Sequence, residues 1–268
     1  NHSFFIYIFV LNENIILSND FSGLWTGRSP VRIVSLVPSL TEIFYYFGLD
    51  KYVVGVTRFC EHPEVKFPKP AKIGGTKNPS FDKIKKLNPD VIFASKEENN
   101  LADIERLSTI CPVIVTDIVT IDDNLKVLEH LGIMFQKKKA ASAVIKQLSS
   151  DFKKVIFADL KTAVYLIWKD PMMTVGGDTF INNMMLYAGF ENLYFDATRY
   201  PEITMDKLIQ DNPEYLLLSS EPYPFKEKHV EEFERMLPAT KVILVDGQMF
   251  SWYGIRPLFT KKYFSSIL

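Results

Sequence analysis

Residues 81–95 read FDKIKKLNPDVIFAS and residues 205–219 read MDKLIQDNPEYLLLS, one phrase written twice at a spacing of 124. Five of the fifteen positions are identical: Asp82/Asp206, Lys83/Lys207, Asn88/Asn212, Pro89/Pro213 and Ser95/Ser219. Ile84/Leu208 and Asp90/Glu214 are conservative pairs. A short helical run, an Asn-Pro break and a continuous apolar run describe a helix feeding a buried parallel strand. Such joints are common singly. Here the flanks echo as well. TEIFYYFGLDKYVVGVT (41–57) is answered by TFINNMMLYAGFENLYFDAT (179–198), and PVIVTDI (112–118) by KVILVDG (241–247). Three echoes in one order point to a duplicated α/β unit.

The expected elements follow. Ile33, Val34, Leu36 and Val37 form a short buried strand, broken at Pro38-Ser39. Ser39 or Thr41 can cap the next helix, which stops at Gly48. Strands at Tyr52–Thr57, Val91–Ser95 and Val113–Ile118 alternate with helices FDKIKKL and LADIERLS. The second half supplies a strand at Ala163–Trp168, the helix TFINNMMLYAGF, a strand in ENLYFDAT, the second copy of the phrase, the helix HVEEFERML and the strand in KVILVDG. Strand–helix alternation predicts parallel sheets with right-handed crossovers. Between the halves, DDNLKVLEHLG is amphipathic. KKKAASAVIKQLSSDFKKVI holds helical spacing for about five turns, a rod of about 30 Å. The expected fold class is therefore α/β: two similar parallel-sheet lobes joined by one long connector helix. The expected boundaries are an N-terminal extension at 1–30, an N-terminal lobe at 31–120, connector helices at 121–158 and a C-terminal lobe at 159–268.

The extension begins HSFFIYIFVLNENIILSN; its apolar run lacks preceding basic residues and a small-residue cleavage site. It makes a poor signal peptide, and the alternation around Asn12-Glu13-Asn14 suits a β-hairpin. With a net charge of −1, nothing in the composition points to a broad nucleic-acid-binding or anionic-membrane surface. At 268 residues and 47% hydrophobic, two lobes of ordinary size with real cores are affordable. Cys60 follows a strand's carboxyl end and Cys111 precedes another strand's start, too far apart for a disulfide.

In open α/β sheets, ligands sit beyond the carboxyl ends of the strands. If the lobes face each other, the loops there line a shared cleft. They contain Pro38, Ser39, Phe59, Gly74, Gly75, Thr76, Lys96, Glu97, Trp168, Phe250, Trp252, Tyr253 and Arg256. In QMFSWYGIRP, Phe250, Trp252 and Tyr253 beside Arg256 suit a large planar or conjugated ligand if exposed; the same residues serve equally as a core plug. GGTKN can bring backbone close to a flat ligand or simply turn the chain. In FCEHPE, Cys60 and His62 are a candidate metal pair or, less simply, a nucleophile and base. The alternative is a loop with a buried thiol and a capping imidazole. Glu97 and Glu98 are adjacent and point apart, so a shared acid–base role is disfavoured.

RIVSLVPSLTE, the phrase SFDKIKKLNPDVIFA and the bilobal plan together resemble the ABC-transporter solute-binding proteins with a helical backbone, over about residues 31–260. The chain is most similar to the cobalamin- and iron-siderophore-binding branch. IGGTKNP…KEEN and SWYG resemble the helical-backbone metal receptors. The resemblance implies a carrier rather than an enzyme, monomeric, with no tightly bound cofactor. Its ligand would be a small metal chelate such as cobalamin, haem or a ferric siderophore, handed to an ABC permease in the membrane. It implies a periplasmic or membrane-anchored extracytoplasmic location; the weak leader leaves a cytoplasmic one open. It also implies that one acid per lobe docks onto the permease, at the positions matched by Asp82 and Asp206. Both would otherwise serve simply as first-turn acids at a helix start. Two competing readings use Cys60 and His62: an intracellular metal- or cofactor-binding sensor or chaperone, and an enzyme.

Overall fold

The computed structural model describes residues 14–21, 30–62, 69–153 and 159–267. The described residues form two compact units. The first holds those up to Ile118, together with Asp122–Gln147 and Tyr253–Ile255; the second holds Val119–Ile121, Leu148–Trp252 and the residues from Arg256 onward.

The first unit runs β1 (Ile15–Leu17), β2 (Ile33–Ser35), α1 (Pro38–Tyr46), β3 (Val53–Val56), β4 (Ala71–Lys72), α2 (Phe81–Leu87), β5 (Val91–Ser95), α3 (Leu101–Leu107) and β6 (Val113–Thr116). It continues into α4 (Ile121–Met134) and most of α5 (Lys138–Asp151). Its strands pair in the order β1-β6-β5-β2-β3-β4, all parallel. The second unit holds β7 (Lys161–Leu166), α6 (Phe180–Tyr187), β8 (Phe190–Asn192), α7 (Met205–Asp211), β9 (Tyr215–Ser219), α8 (Glu227–Met236), β10 (Lys241–Val245), α9 (Gly247–Ser251) and α10 (Pro257–Phe264). Its order is β10-β9-β7-β8, again all parallel. Matched by the doubled phrase, β6-β5-β2-β3 and β10-β9-β7-β8 are the same arrangement, so the repeat read in sequence is a repeat of topology.

The repeated phrase has one physical meaning in both units. Ile84 and Leu208 are fully buried anchors under α2 and α7. Asn88 and Asn212 end their helices in the left-handed region. Asp90 accepts the backbone N–H of Val31 and Arg32 at 2.8 and 3.0 Å; Glu214 accepts that of Thr162 at 2.8 Å. Each acid thus ties the helix–strand joint to the start of the neighbouring central strand.

Cores follow from strands buried on both faces. In the first unit Phe93 meets Phe44 at 4.9 Å and Phe21 at 6.1 Å between ring centres, edge-on, as aromatic quadrupoles favour. In the second, Val164, Leu166, Leu216 and Leu218 pack with Phe233 and Val242 from α8 and β10. Each such side chain contributes about 1.5–3 kcal/mol on burial.

Several expectations are corrected. The hairpin around Asn12–Asn14 lies largely outside the described residues; β1 itself pairs parallel with β6. Neither Ser39 nor Thr41 caps α1: Val37 is the cap residue, Pro38 takes the first turn, and Thr41 donates back to Val37 O at 2.9 Å from inside the helix. The strand in ENLYFDAT stops at Asn192. Beyond it Phe195 O and Ala197 O accept from Gly177 N, and a Cβ on Gly177 would lie 2.1 Å from Phe195 O. The Gly176-Gly177 pair exists for that close approach, which pulls 193–199 away from the sheet. The connector is two helices of 14 residues each, parted at Gln136 (φ 57°). Gly132 lets Ala141 pack close, since an added Cβ would sit 2.5 Å from Ala141 Cβ. The connector up to Gln147 therefore belongs to the first unit, and residues 154–158 lie outside the described residues. Both cysteines are free thiols. Among the described residues no helix is long and apolar enough to cross a membrane.

Candidate functional site

In the first unit the strand order reverses between β5 and β2, the switch point where an open sheet leaves a crevice. That crevice is filled from within the unit. Tyr253 is 3% exposed, and its hydroxyl lies among Ser39, Ser95 and Thr116. Burial, then the charge of Glu98, push the phenol above its ordinary range. The next residue is clamped: Gly254 N donates to Asn124 Oδ1 at 2.7 Å, and Asn124 Nδ2 donates back to Gly254 O at 2.9 Å. Asn124 is fully buried. Tyr253 is therefore the core plug of the two roles open to it, and Pro38 and Ser39, both buried in α1, stand behind it.

Around this plug the strand-end loops form a rim. Gly74 (φ 114°) closes a tight turn with Pro79, and Ser80 N donates to Ile73 O at 2.6 Å. A Cβ on Gly74 would sit 2.6 Å from Asn78 O, so the glycine answers to the turn. Asn99 Nδ2 donates to Thr76 O at 2.8 Å and fixes the loop to the end of β5. Phe59 is 45% exposed, capped by Arg58 at 4.8 Å, and faces Gly75. Lys96 pairs with Asp117 at 2.6 Å. Glu97 N donates to Ser95 Oγ at 3.2 Å. Phe59, Gly75, Thr76, Lys96 and Glu97 thus share one edge.

Cys60 is a free, half-buried thiol set between two hydroxyls. Its sulfur lies 3.1 Å from Thr41 Oγ1 and 3.3 Å from Thr57 Oγ1. Burial raises the thiol's pKa, although both hydroxyls favour the thiolate. A raised thiol pKa lowers the thiolate fraction, and with it the nucleophilicity, at neutral pH. Among the described residues no three His, Cys, Asp or Glu side chains gather as a metal cluster.

The second unit presents the aromatic surface. Trp168 is 39% exposed, donates from Nε1 to Asp170 O at 3.1 Å, and meets Tyr223 edge-on at 5.6 Å. Trp252 lies under the Arg256 guanidinium at 5.0 Å and donates from Nε1 to Glu221 Oε1 at 2.9 Å. Ser251 Oγ donates to the same oxygen at 3.1 Å. Glu221 and Tyr223 share the loop after β9, and Tyr223 N donates to Ile167 O at 3.2 Å, so one loop holds both pairs. Phe250 is corrected out of this surface. It lies on α9, fully buried between Tyr165 (5.2 Å) and Phe264 (4.8 Å), because QMFS winds into a helix that turns it inward.

The sequence marks Glu221–Phe225 as a strand-end loop but does not single out Tyr223 or Glu221 within it. A signal existed: the repeat spacing that pairs Ser95 with Ser219 also pairs Glu97 with Glu221. Glu221 N faces Ser219 Oγ at 3.4 Å as Glu97 N faces Ser95 Oγ. Asp82 and Asp206 are both exposed, each at the second position of its helix.

Comparison with known proteins agrees with this architecture. The family model for periplasmic binding proteins matches residues 33–241. The uncharacterized ABC transporter substrate-binding lipoprotein YvrC of Bacillus subtilis is 32% identical over 203 residues, 71% of this chain and 64% of that protein. The chain thus spans a little under two thirds of that relative. A vitamin B12-binding protein of Vibrio campbellii is 26% identical over 206 residues, 74% of each chain. Among solved structures, the periplasmic vitamin B12-binding protein BtuF of Vibrio cholerae superimposes with a TM-score of 0.76 at 18% identity, covering 89% of this chain and 96% of that one. The periplasmic heme-binding protein RhuT from Roseiflexus does so at 0.71 and 20% identity, covering 88% and 96%. The shared fold and the family match over most of its length place this chain in the periplasmic binding protein family.

Proposed function

We propose that this chain is the solute-binding component of an ABC importer, working on the extracytoplasmic side, and that its cargo is a metal chelate of the corrinoid, haem or ferric-siderophore class. The observation that carries the reading is the pairing of Trp168 with Tyr223 and of Trp252 with Arg256 beyond the strand ends of the second unit. A conjugated macrocycle offers a broad apolar face and a polar edge. Flat side chains bury the first, and polar groups at the strand ends meet the second. Relatives that bind vitamin B12 or heme support the same chemistry. The contacts we assign are Trp168 and Trp252, with Phe59, Gly75, Thr76, Lys96 and Glu97 on the first unit's rim. Pro38, Ser39, Gly74, Phe250, Tyr253 and the buried Arg256 shape these surfaces from behind. The reading requires no metal ligation by Cys60 or His62, and the raised pKa of the half-buried Cys60 thiol favours it over readings that need a reactive thiolate. The exposed Asp82 and Asp206, matched by the repeat, fit docking onto basic groups of the permease, where they would set register more than affinity.

The test is a titration of the purified protein with cyanocobalamin, haemin, a ferric siderophore and Zn²⁺, followed by tryptophan quenching. Micromolar binding of one of the chelates, weakened about tenfold or more in Trp252→Ala, is the expected result. Binding of Zn²⁺ alone, abolished by Cys60→Ser or His62→Ala, would overturn the proposal.

A further inference from the structure

The carboxylate of Glu221 is half-buried in the second unit, and nothing in the carrier's task as described so far uses it. Its Oε1 receives two donors, the Trp252 indole N–H and the Ser251 hydroxyl. The opposite support for the indole is the Arg256 guanidinium over its face. Glu221 is itself held from behind. The buried Tyr165 hydroxyl donates to Ser219 Oγ at 3.0 Å, and Ser219 Oγ donates to Glu221 O at 2.5 Å. Room for the side chain is reserved by Gly247, where a Cβ would lie 2.6 Å from Glu221 Cγ and 2.5 Å from Ser219 Oγ. Gly247 N in turn donates to Ser220 Oγ at 2.9 Å.

A half-buried indole on a loop can rotate about two side-chain torsions; a hydrogen bond to Nε1 plus a stacked cation leaves one orientation. We propose that Glu221 is the positioning residue of the ligand site: it fixes the Trp252 indole at one angle, so that the ring meets a flat ligand already oriented. The orienting chain runs Tyr165–Ser219–Glu221–Trp252, from the core of β7 to the surface. Such pre-organisation lowers the ordering cost of binding. The other ionisable groups acting on this carboxylate or on its clamp are Asp246, Tyr263 and Arg256, with Gln248 as a further hydrogen-bond partner. The role in ligand capture rests on the function proposed above; the orientation of Trp252 does not.

The experiment separates the two. In a Trp25→Phe/Trp168→Phe background Trp252 is the sole tryptophan, and its emission maximum, anisotropy and acrylamide quenching report its orientation without any ligand. Glu221→Leu is expected to red-shift emission and raise quenching about twofold or more; Glu221→Gln, which keeps an acceptor oxygen, is expected to restore both. Unchanged emission and quenching in folded Glu221→Leu would refute the positioning role, and if that variant fails to fold, a loss of the wild-type signature in Glu221→Gln refutes it instead. In the wild-type tryptophan background, affinity for cyanocobalamin or haemin is expected to fall about tenfold in Glu221→Leu and less than threefold in Glu221→Gln. Equal affinity in all three proteins would overturn the role in capture. If wild type binds neither probe, the cargo reading falls, and the fluorescence result alone decides Glu221.

Discussion

Asn88 and Asn212, 124 residues apart, hold the same left-handed backbone, φ 45° and ψ 61° against φ 43° and ψ 59°. Each ends a seven-residue helix and precedes a buried proline that starts the approach to a strand. Asparagine tolerates this region better than other residues with a Cβ, which is why the doubled phrase keeps it.

Replacing either asparagine by alanine is expected to cost about 1 kcal/mol, and by glycine to cost nothing or to stabilise slightly. Urea unfolding with an unchanged m-value reads the difference. Equal losses for alanine and glycine would assign the role to the amide side chain instead.

The Asn124–Gly254 clamp is expected to be costly to remove. Asn124→Ala strands a buried N–H and a buried carbonyl, worth about 2–3 kcal/mol or more. Gly254→Ala places a Cβ 2.7 Å from Ile43 Cγ1 at φ 77°, so it is expected to destabilise by about 2 kcal/mol or more. Hydrogen exchange at the Gly254 amide checks the first: it should be slow in wild type and fast in Asn124→Ala.

Cys60 should label slowly. With its pKa raised by burial, little thiolate exists at neutral pH. In a Cys111→Ser background, disulfide-exchange labelling at pH 7 is expected to be about tenfold or more slower than for glutathione, and to accelerate as pH rises. Rapid labelling at neutral pH would return Cys60 to the list of reactive residues.

Glu221 gives stability a defined pH dependence. Burial raises its carboxyl pKa in the folded state, against the hydrogen bonds of Ser251 and Trp252. The folded protein therefore holds the proton more tightly than the unfolded chain. This contribution is fully present below the ordinary carboxyl pKa of 4.5 and is lost as pH rises through the raised value. Glutamine does not titrate. Stability curves of Glu221→Gln should thus gain on wild type between pH 4 and pH 7; parallel curves would show that Glu221 ionises alike in both states.

Charge reversal at Asp82 and Asp206 should separate capture from delivery. Asp82→Lys with Asp206→Lys is expected to leave chelate affinity within about twofold and to reduce uptake in permease-bearing vesicles severalfold. Lost chelate affinity would move these residues into the ligand site.

The sequence by itself determined the repeat, the parallel strands and the helix–Asn–Pro–strand joints, because backbone constraint and periodicity are local: a left-handed Asn, a proline and a buried apolar run mean the same thing wherever they occur. Strand extents in the first unit, such as Val91–Ser95, were legible for that reason. What only the tertiary structure decided was which aromatics face outward. Phe250, Trp252 and Tyr253 are near neighbours in one loop, yet one is core, one half-exposed and one fills the first unit's switch point. A one-turn helix and the clamp from Asn124, 130 residues away, set those directions. Contacts at that separation leave no periodic trace in the chain. The pairings of Tyr223 with Trp168 and of Glu221 with Trp252 were hidden for the same reason: each joins loops that only the order of strands in the sheet brings together.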